Sequence, residues 1–192
     1  MASKALFEFK MVDRQEMITI LDRTAVRRLL DFDGSSKAST WEPIHVRTLK
    51  SSSSKEFGER HRLKYSDAPA CTEPVFRESA YRLLLPLLEG DGEFLPLRCD
   101  EAPLWMFNCT RFVDALDIEH SVANWFEFPT RAQSIKQYAF HADRLGDANA
   151  FRIPQARKGP LFFRENVAEA IIGAGLQRVG LRQVWPAADR SK

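Results

Sequence analysis

The sequence lacks paired cysteines, a long apolar run and a large excess of charge of one sign. Its 192 residues contain three cysteines and no C-x-x-C pair, so neither a disulfide framework nor a zinc site is indicated. No stretch approaches the roughly 18 to 20 apolar residues that span a bilayer, and the N-terminal residues have no apolar run of the signal-peptide type. We therefore expect a cytoplasmic protein without membrane contact.

Motifs for catalysis and phosphate binding are also missing. The glycines form neither a P-loop nor a dinucleotide-binding turn, and no Gly-x-Ser-x-Gly elbow surrounds the four serines at 51–54. The histidines are too far apart in sequence to place two metal ligands on one turn: His45, His61, His120 and His141. The sequence thus predicts no catalytic residue, no cofactor and no metal, and hence no enzyme.

Apolar and aromatic residues, by contrast, are plentiful. Hydrophobic residues make up 44% of the chain and charged residues 28%, as in globular proteins, and fourteen Phe and four Trp supply large side chains for a core. The length lies near the upper end of one ordinary domain. We expect a single domain over residues 1–192.

The N-terminal third is predicted to contain strands, a short helix and a mobile loop. Apolar and polar residues alternate over 5–11, as in a half-buried strand, and 41–49 has a similar pattern. Asp22 is a suitable N-cap for a helix over 23–31. The run 51–60 is polar without an apolar period, which is typical of a loop.

Two later segments follow a common plan of strand, amphipathic helix and strand, over 74–97 and 160–185. When Arg77 is aligned with Arg164, apolar residues coincide: Ala80 with Val167, Leu84 with Ile171, Leu85 with Ile172, Phe94 with Leu181, and Leu97 with Val184. We predict an α+β fold with a mixed β-sheet and a few short helices, in which these two units form an internal quasi-repeat on a shared sheet. Chance agreement between two amphipathic helices is the alternative.

Charge is unevenly distributed although the net charge is only +2, which indicates neither a nucleic-acid nor a membrane partner. Residues 47–64 contain six basic and two acidic side chains, whereas residues 89–119 contain eight acidic and two basic ones. Such a segment is either a solvated surface or a region that steers a basic partner, with association that slows at high salt. The candidate partner-binding residues are Glu93, Asp100, Glu101, Asp114 and Asp117.

Two other functions remain open at this level. Trp105, Trp125 and Phe126 are either core residues or anchors of an interface, and a pocket lined by the two tryptophans would favour a small-ligand or regulatory binding module. Asp114 and Asp117 would favour an enzyme with a dispersed site if either carboxylate lay in a deep cleft with a strongly raised pKa. The rings of 162–163 fall in a predicted core strand, so they do not indicate nucleic-acid binding.

Several segments of the second half, in order, resemble the polymorphic-toxin immunity family numbered eleven. They are Asp67-Ala-Pro69, Pro74-Val-Phe-Arg-Glu-Ser-Ala-Tyr81, Gly92-Glu-Phe-Leu-Pro-Leu97, Met106-Phe-Asn-Cys-Thr-Arg-Phe-Val-Asp-Ala-Leu-Asp117, Phe151-Arg-Ile-Pro154, Gly159-Pro-Leu-Phe-Phe-Arg-Glu165, Gly175-Leu176 and Trp185. The resemblance covers residues 65–186 and little of residues 1–64. Arg77 and Arg164 stand where the family often has Ser, and Trp105-Met106-Phe107 replaces its usual aromatic pair.

The resemblance implies a function in bacterial competition. Members of this family are antitoxins that neutralise a secreted or contact-delivered toxin, such as a type VI secretion effector, encoded by an adjacent gene. The family has no catalytic motif to transfer. We therefore expect an immunity protein whose partner is a cognate toxin domain.

Overall fold

The computed structural model describes residues 5–22, 24–30, 32–53 and 60–186. The helices are α1 (Ala25–Leu30), α2 (Glu78–Leu88) and α3 (Glu165–Gly173), with 3₁₀ turns at Ala38–Thr40 and Pro154–Ala156. The strands are β1 (Leu6–Lys10), β2 (Met17–Ile20), β3 (Val46–Leu49), β4 (Ser51–Ser53), β5 (Arg60–Arg62), β6 (Val75–Arg77), β7 (Gly92–Leu97), β8 (Leu104–Cys109), β9 (Val122–Glu127), β10 (Arg131–Gln137), β11 (Ala150–Phe151), β12 (Phe162–Arg164) and β13 (Gly180–Trp185). The predicted α+β class is confirmed.

Local sequence explains where the helices begin and end. The Asp22 carboxylate accepts a hydrogen bond from the Thr24 amide at 2.8 Å, as expected of a residue that caps the start of α1. In α2, Ala80, Leu84 and Leu88 follow each other at four-residue spacing and are fully buried. After α3 the chain leaves the helix through Gly175, whose φ of +66° favours glycine.

The two strand–helix–strand units are confirmed, but each has its own sheet. The strands β6 and β7 flank β8 in a three-stranded sheet. The strands β12 and β13 flank β1 in a four-stranded sheet that β11 completes. Within each unit the two outer strands are antiparallel to the central strand and hence parallel to each other. The expected shared sheet does not form because each unit takes its central strand from a different part of the chain.

The two units share a hydrophobic core instead of a sheet. Helices α2 and α3 pack against each other. The buried residues between the sheets include Phe76, Leu84, Phe107, Phe163 and Ile171. Because Phe163 is fully buried, as is its neighbour in β12, the interpretation of these rings as core residues is confirmed.

The mobile loop predicted for 51–60 is wrong at both of its ends. The strands β4 and β5 pair as an antiparallel hairpin, with Ser51 opposite Arg62 and Ser53 opposite Arg60. A ladder forms through backbone hydrogen bonds, which do not require the apolar alternation that the prediction relied on. Residues 54–59 lie outside the described residues.

Three remaining two-stranded sheets complete the described structure: β2 with β3, β4 with β5, and β9 with β10. The first of these covers the β6–β8–β7 sheet through a second core that includes Ile44, Val46, Leu95 and Met106. The N-terminal strands are thus packed into both units rather than set apart from them.

Candidate functional site

Glu93, the first of the predicted partner-binding acids, is held by internal hydrogen bonds. Its carboxylate accepts hydrogen bonds from the Lys37 amide at 2.8 Å, from Asn108 Nδ2 at 3.0 Å and from the Ser36 hydroxyl. Partial burial alone would raise the pKa of Glu93, but these hydrogen bonds outweigh it and hold the pKa below its usual value. Glu93 therefore anchors the segment 35–38 to β7.

Asp100 and Glu101 lie at the opposite end of β7, in the turn to β8. Both are exposed. Asp100 lies 3.9 Å from His45 Nε2, and Glu101 accepts a hydrogen bond from the Cys99 thiol at 2.9 Å. These two carboxylates are accessible to a partner.

Asp114 and Asp117 lie in the connection between β8 and β9. Asp114 is exposed and accepts a hydrogen bond from Gln155 Nε2 at 2.8 Å. Asp117 bonds to the amide and the ring of His120, and His141 Nδ1 lies 3.9 Å from it. The five predicted acids thus occupy three separate positions in the fold and do not share one set of contacts.

Asp117 does not meet the criterion set for an enzyme with a dispersed site. Burial alone would raise its pKa, but the hydrogen bonds and charge of His120, with a contribution from His141, lower the pKa below its usual value. The expected signal was a raised pKa in a deep cleft, whereas Asp114 is exposed.

The cysteines do not supply an activated nucleophile. Burial raises the pKa of Cys109 to about 11, and burial also raises the pKa values of Cys71 and Cys99. A thiol is reactive as its thiolate, so these shifts disfavour nucleophilic chemistry at pH 7. Across the described ranges, no cluster of three or more His, Cys, Asp or Glu side chains could hold a metal ion.

The hairpin formed by β9 and β10 exposes three large apolar side chains. Phe126 and Phe128 are 64% and 68% exposed, and Val122 on the same hairpin is 51% exposed. Most residues of both strands are exposed or only partly buried. A two-stranded ribbon has no neighbouring strand or helix layer of its own to cover both faces, which explains this exposure.

Aromatic contacts order the end of this hairpin. The ring of Trp125 meets that of Phe128 edge-on, with centroids 5.4 Å apart. The guanidinium of Arg131 lies over the Phe126 ring at 5.0 Å. The exposed rings are thus held by neighbours on the same hairpin, which limits the conformational entropy they would lose on binding.

The base of the hairpin is fixed to the body of the protein. The His141 amide donates to the Ala115 carbonyl oxygen at 2.8 Å, and the Asp117 amide donates to the Ala139 carbonyl oxygen at 2.9 Å. Next to these bonds, Tyr138 and Phe140 are buried against Phe162. The exposed end therefore stands on a rigid support.

A groove of about 510 Å³ lies beside the hairpin, between its tip and the segment 154–159. Its lining residues are Phe126, Thr130, Arg131, Ala132, Gln133, Pro154, Gln155, Ala156, Arg157, Lys158 and Gly159. Three of these residues are basic and none is acidic. The three cations, Arg131, Arg157 and Lys158, are exposed.

Trp105 and Trp125 lie on different parts of the fold. Trp105 stacks on Tyr81, with centroids 4.2 Å apart, on the first unit. Trp125 packs on the β9–β10 hairpin. They do not line a common pocket in the described part of the chain, so the observation that would favour a small-ligand module is not met.

Sequence reasoning identified part of this surface. Phe126 and Trp125 were recognised as possible interface anchors, but Phe128 and the groove were not. The signal for the hairpin was present in Phe128-Pro129-Thr130, a turn between two runs with strand propensity. The groove brings together segments more than twenty residues apart, which no local pattern indicates.

Comparison with known families and with curated proteins gives no match to this chain. Over the residues that the structure covers, no helix has the length and apolar character needed to cross a membrane.

Proposed function

We propose that the chain is an immunity protein that binds a cognate toxin domain through the β9–β10 hairpin and thereby neutralises it. The observation that carries this proposal is the exposure of Phe126 and Phe128 at the end of an anchored hairpin. The sequence resemblance to an antitoxin family supports the same class of function. The partner would be a secreted or contact-delivered toxin encoded by an adjacent gene.

Physical chemistry favours a protein partner for such a hairpin. Contiguous exposed apolar groups are uncommon on monomers and mark interaction surfaces when they cluster. Burying one Phe side chain contributes about 1.5–3 kcal/mol, and aromatic residues dominate the energetic centres of interfaces. Phe126 and Phe128, at the end of the hairpin, therefore offer two exposed aromatic side chains that neighbouring residues hold in place.

Neutralisation requires only that the bound protein cover or distort the active site of the toxin. A specific complex of this kind buries about 1,200–2,000 Å² in total. The hairpin and the neighbouring groove would supply part of that area, and the exposed acids Asp100 and Glu101 remain candidates for peripheral contacts.

The test is binding and protection with the candidate toxin domain encoded by the adjacent gene. The wild-type chain is expected to co-purify with that domain and to restore growth of cells that express it. Phe128→Ala is expected to weaken the complex by about 30-fold in isothermal titration calorimetry, since an aromatic anchor contributes about 2 kcal/mol or more. Growth protection should fall in parallel.

Ile172→Ala is the matched control. Ile172 on α3 is 69% exposed, almost the same fraction as Phe128, but it lies on a different element. It should leave affinity unchanged, and both variants should keep the wild-type melting temperature. Equal affinity of Phe128→Ala and wild type, with Ile172→Ala weakened instead, would assign the interface to α3 and reject the hairpin. Absence of any complex or protection would reject the proposed function itself.

A further inference from the structure

We propose that the groove between the hairpin and residues 154–159 binds an extended acidic segment of the partner protein. This inference rests on the proposed function, because it names the chemistry of the partner segment. It concerns a different surface from the acidic stretch at 89–119, which is either solvated or steers a basic region of the partner.

The positive charge of the groove is the first argument for an acidic ligand. Its lining contains Arg131, Arg157 and Lys158 and no acidic residue. Neither guanidinium lies within 4.0 Å of a carboxylate in the described structure, whereas Arg152, which is buried behind the same segment, pairs with Glu73 at 2.5 Å. An acidic ligand would meet positive charge without displacing an internal partner from the two arginines.

Stacking on aromatic rings orients Arg131 and Arg157 so that they can bind a carboxylate. Arg131 lies over the ring of Phe126 at 5.0 Å, and Arg157 lies over the ring of Phe112 at 5.3 Å. A guanidinium stacked by its flat face keeps the N–H groups at its edge available, and these match the two oxygens of a carboxylate. Holding each guanidinium on a ring also lowers the entropy lost on binding.

Gln155, a polar residue of the groove lining, is fixed in orientation. Gln155 is only 8% exposed, and its Nε2 donates to Asp114 at 2.8 Å, which fixes the orientation of the amide. Its Oε1 accepts no hydrogen bond from the described residues. This oxygen is shielded from solvent, so it is not offered to a ligand in the groove.

These requirements distinguish a peptide from a nucleic acid. A phosphodiester backbone offers oxygens to the arginines, whereas a peptide also has backbone N–H and C=O groups that can pair with the edge of a strand. The strand β10 pairs only with β9 in its sheet, so its other edge offers a backbone template to an extended chain. An acidic peptide in an extended conformation thus suits both the side chains and the backbone of the groove.

The experiment titrates the full chain with a fluorescently labelled peptide of alternating Glu and Val, measured by anisotropy. A peptide of alternating Lys and Val and a single-stranded oligonucleotide of the same charge as the Glu peptide are the comparison probes. The Glu peptide is expected to bind with an affinity that falls as salt rises, and both comparison probes should bind at least tenfold more weakly. Equal or tighter binding of the oligonucleotide would overturn the assignment to a peptide.

Variants place the binding in the groove. Arg131→Gln and Arg157→Gln are each expected to weaken the Glu peptide about tenfold. The double variant Arg27→Gln, Arg47→Gln removes the same charge from exposed positions outside the groove and should have little effect. Equal losses in this variant and in the double variant Arg131→Gln, Arg157→Gln would mean that net charge alone attracts the peptide, and the groove would be rejected.

Binding of the toxin and binding of the Glu peptide test the proposed function and the groove independently. If the toxin binds through Phe128 while the Glu peptide does not bind, the groove assignment fails and the immunity function stands. If the Glu peptide binds in the groove while no toxin complex forms, the immunity function fails and the acidic-segment site stands.

Discussion

In the first strand–helix–strand unit the strand before the helix ends at Arg77, and in the second it ends at Arg164. The Arg77 amide donates to the Asp67 carbonyl oxygen and its Nε to that of Ser66. The Arg164 amide donates to the Asn149 carbonyl oxygen and its Nε to that of Ala148. The two arginines therefore make the same pair of backbone contacts to equivalent segments.

The side chains beside these arginines repeat as well. The Asp67 carboxylate accepts from the Ser79 hydroxyl at 2.5 Å, and the Asn149 side-chain oxygen accepts from Asn166 Nδ2 at 2.9 Å. Each segment also contacts the end of the other unit's helix region, since Asp67 accepts from the Gln177 amide and Asn149 donates to the Leu87 carbonyl oxygen. The segment before each unit therefore also binds the other unit.

What differs between the units is the environment outside this shared framework. Arg77 also forms an ion pair with Glu16 at 2.5 Å, with side chains only 12% and 5% exposed, whereas Arg164 adds the Gly146 carbonyl oxygen at 2.6 Å. The strands β2 and β3 cover the first unit and supply additional burial there. The hydrogen bonds to backbone carbonyl oxygens are thus common to both units. The segments packed outside each unit determine how much stability a substitution at the arginine loses.

The largest expected difference between the units is at the two arginines. Arg77→Met leaves Glu16 buried without its partner, which costs about 3–5 kcal/mol. Arg164→Met removes hydrogen bonds to carbonyl oxygens that water can partly replace, at about 1–3 kcal/mol. Urea denaturation of the two variants at neutral pH measures both losses in the free energy of unfolding.

Glu16→Met added to Arg77→Met is the control for that explanation. Replacing both members of a buried ion pair by apolar residues is often nearly neutral, so the double variant should recover most of the stability lost in Arg77→Met. If the double variant is no more stable than Arg77→Met, the cost does not arise from an uncompensated Glu16 charge.

The intermediate effect is expected at Asp67 and Asn149. Asp67 is 6% exposed and its carboxylate only accepts hydrogen bonds, from Tyr65, Ser79 and Gln177. Asp67→Asn keeps an oxygen for the Gln177 amide and turns its NH₂ group towards the Tyr65 and Ser79 hydroxyls, but it loses the charge that strengthens all three bonds, at a cost of about 1–3 kcal/mol. Thermal unfolding should show a lowered melting temperature.

The comparison variant for Asp67→Asn is Asp67→Glu, which retains an acceptor-only group but lengthens the side chain. It should be destabilised through altered geometry while the Gln177 amide stays protected in hydrogen exchange. Asp67→Ala removes both oxygens, so fast exchange of the Gln177 amide is expected for Asp67→Ala but not for Asp67→Asn or Asp67→Glu; equal protection in all three variants would contradict the bond between Asp67 and Gln177.

The sequence predicted the units well because their signals are local. The predicted segments 74–97 and 160–185 contain α2 and α3 with their flanking strands, and the alignment of Arg77 with Arg164 is in register as far as Gln183. A bulge then places Trp185 opposite Leu6, so Trp185 and not Val184 is the counterpart of Leu97. Phe94 lies opposite Phe107, and its counterpart Leu181 lies opposite Phe9. The apolar periodicity of a helix or strand depends only on the sequence of that segment. It therefore predicts the element without knowledge of which distant segments pack against it.

The candidate site was harder to predict because its geometry comes from distant segments. Glu93 was proposed as a surface acid, but residues 36–38, more than fifty positions away, donate hydrogen bonds to it. The separate sheets depend in the same way on β1, which joins β12 across most of the chain. The local sequence of either segment does not indicate such pairings between distant parts of the chain.

The smallest expected effect is a pH dependence of the free energy of unfolding that arises from a carboxylate in the first unit. The position of Glu93 corresponds in the second unit to Gly180, where a Cβ would collide with the Lys10 carbonyl oxygen, so only the first unit has a carboxylate there. The hydrogen bonds to the Glu93 carboxylate hold its pKa in the folded protein below its usual value, although burial alone would raise it. Its stabilisation is therefore present above the unfolded pKa and lost as pH falls through the folded pKa.

Glu93→Gln should remove this titration. Because Glu93 is partly exposed, solvent screening limits the loss at about pH 7 to about 1 kcal/mol. Urea denaturation at about pH 7 and about pH 3 should show a smaller acid-induced loss of stability for the variant than for wild type. Equal losses in the two proteins would mean that the hydrogen bonds from Lys37 and Asn108 do not favour the charged form, and Glu93 would return to the set of acids available to a partner.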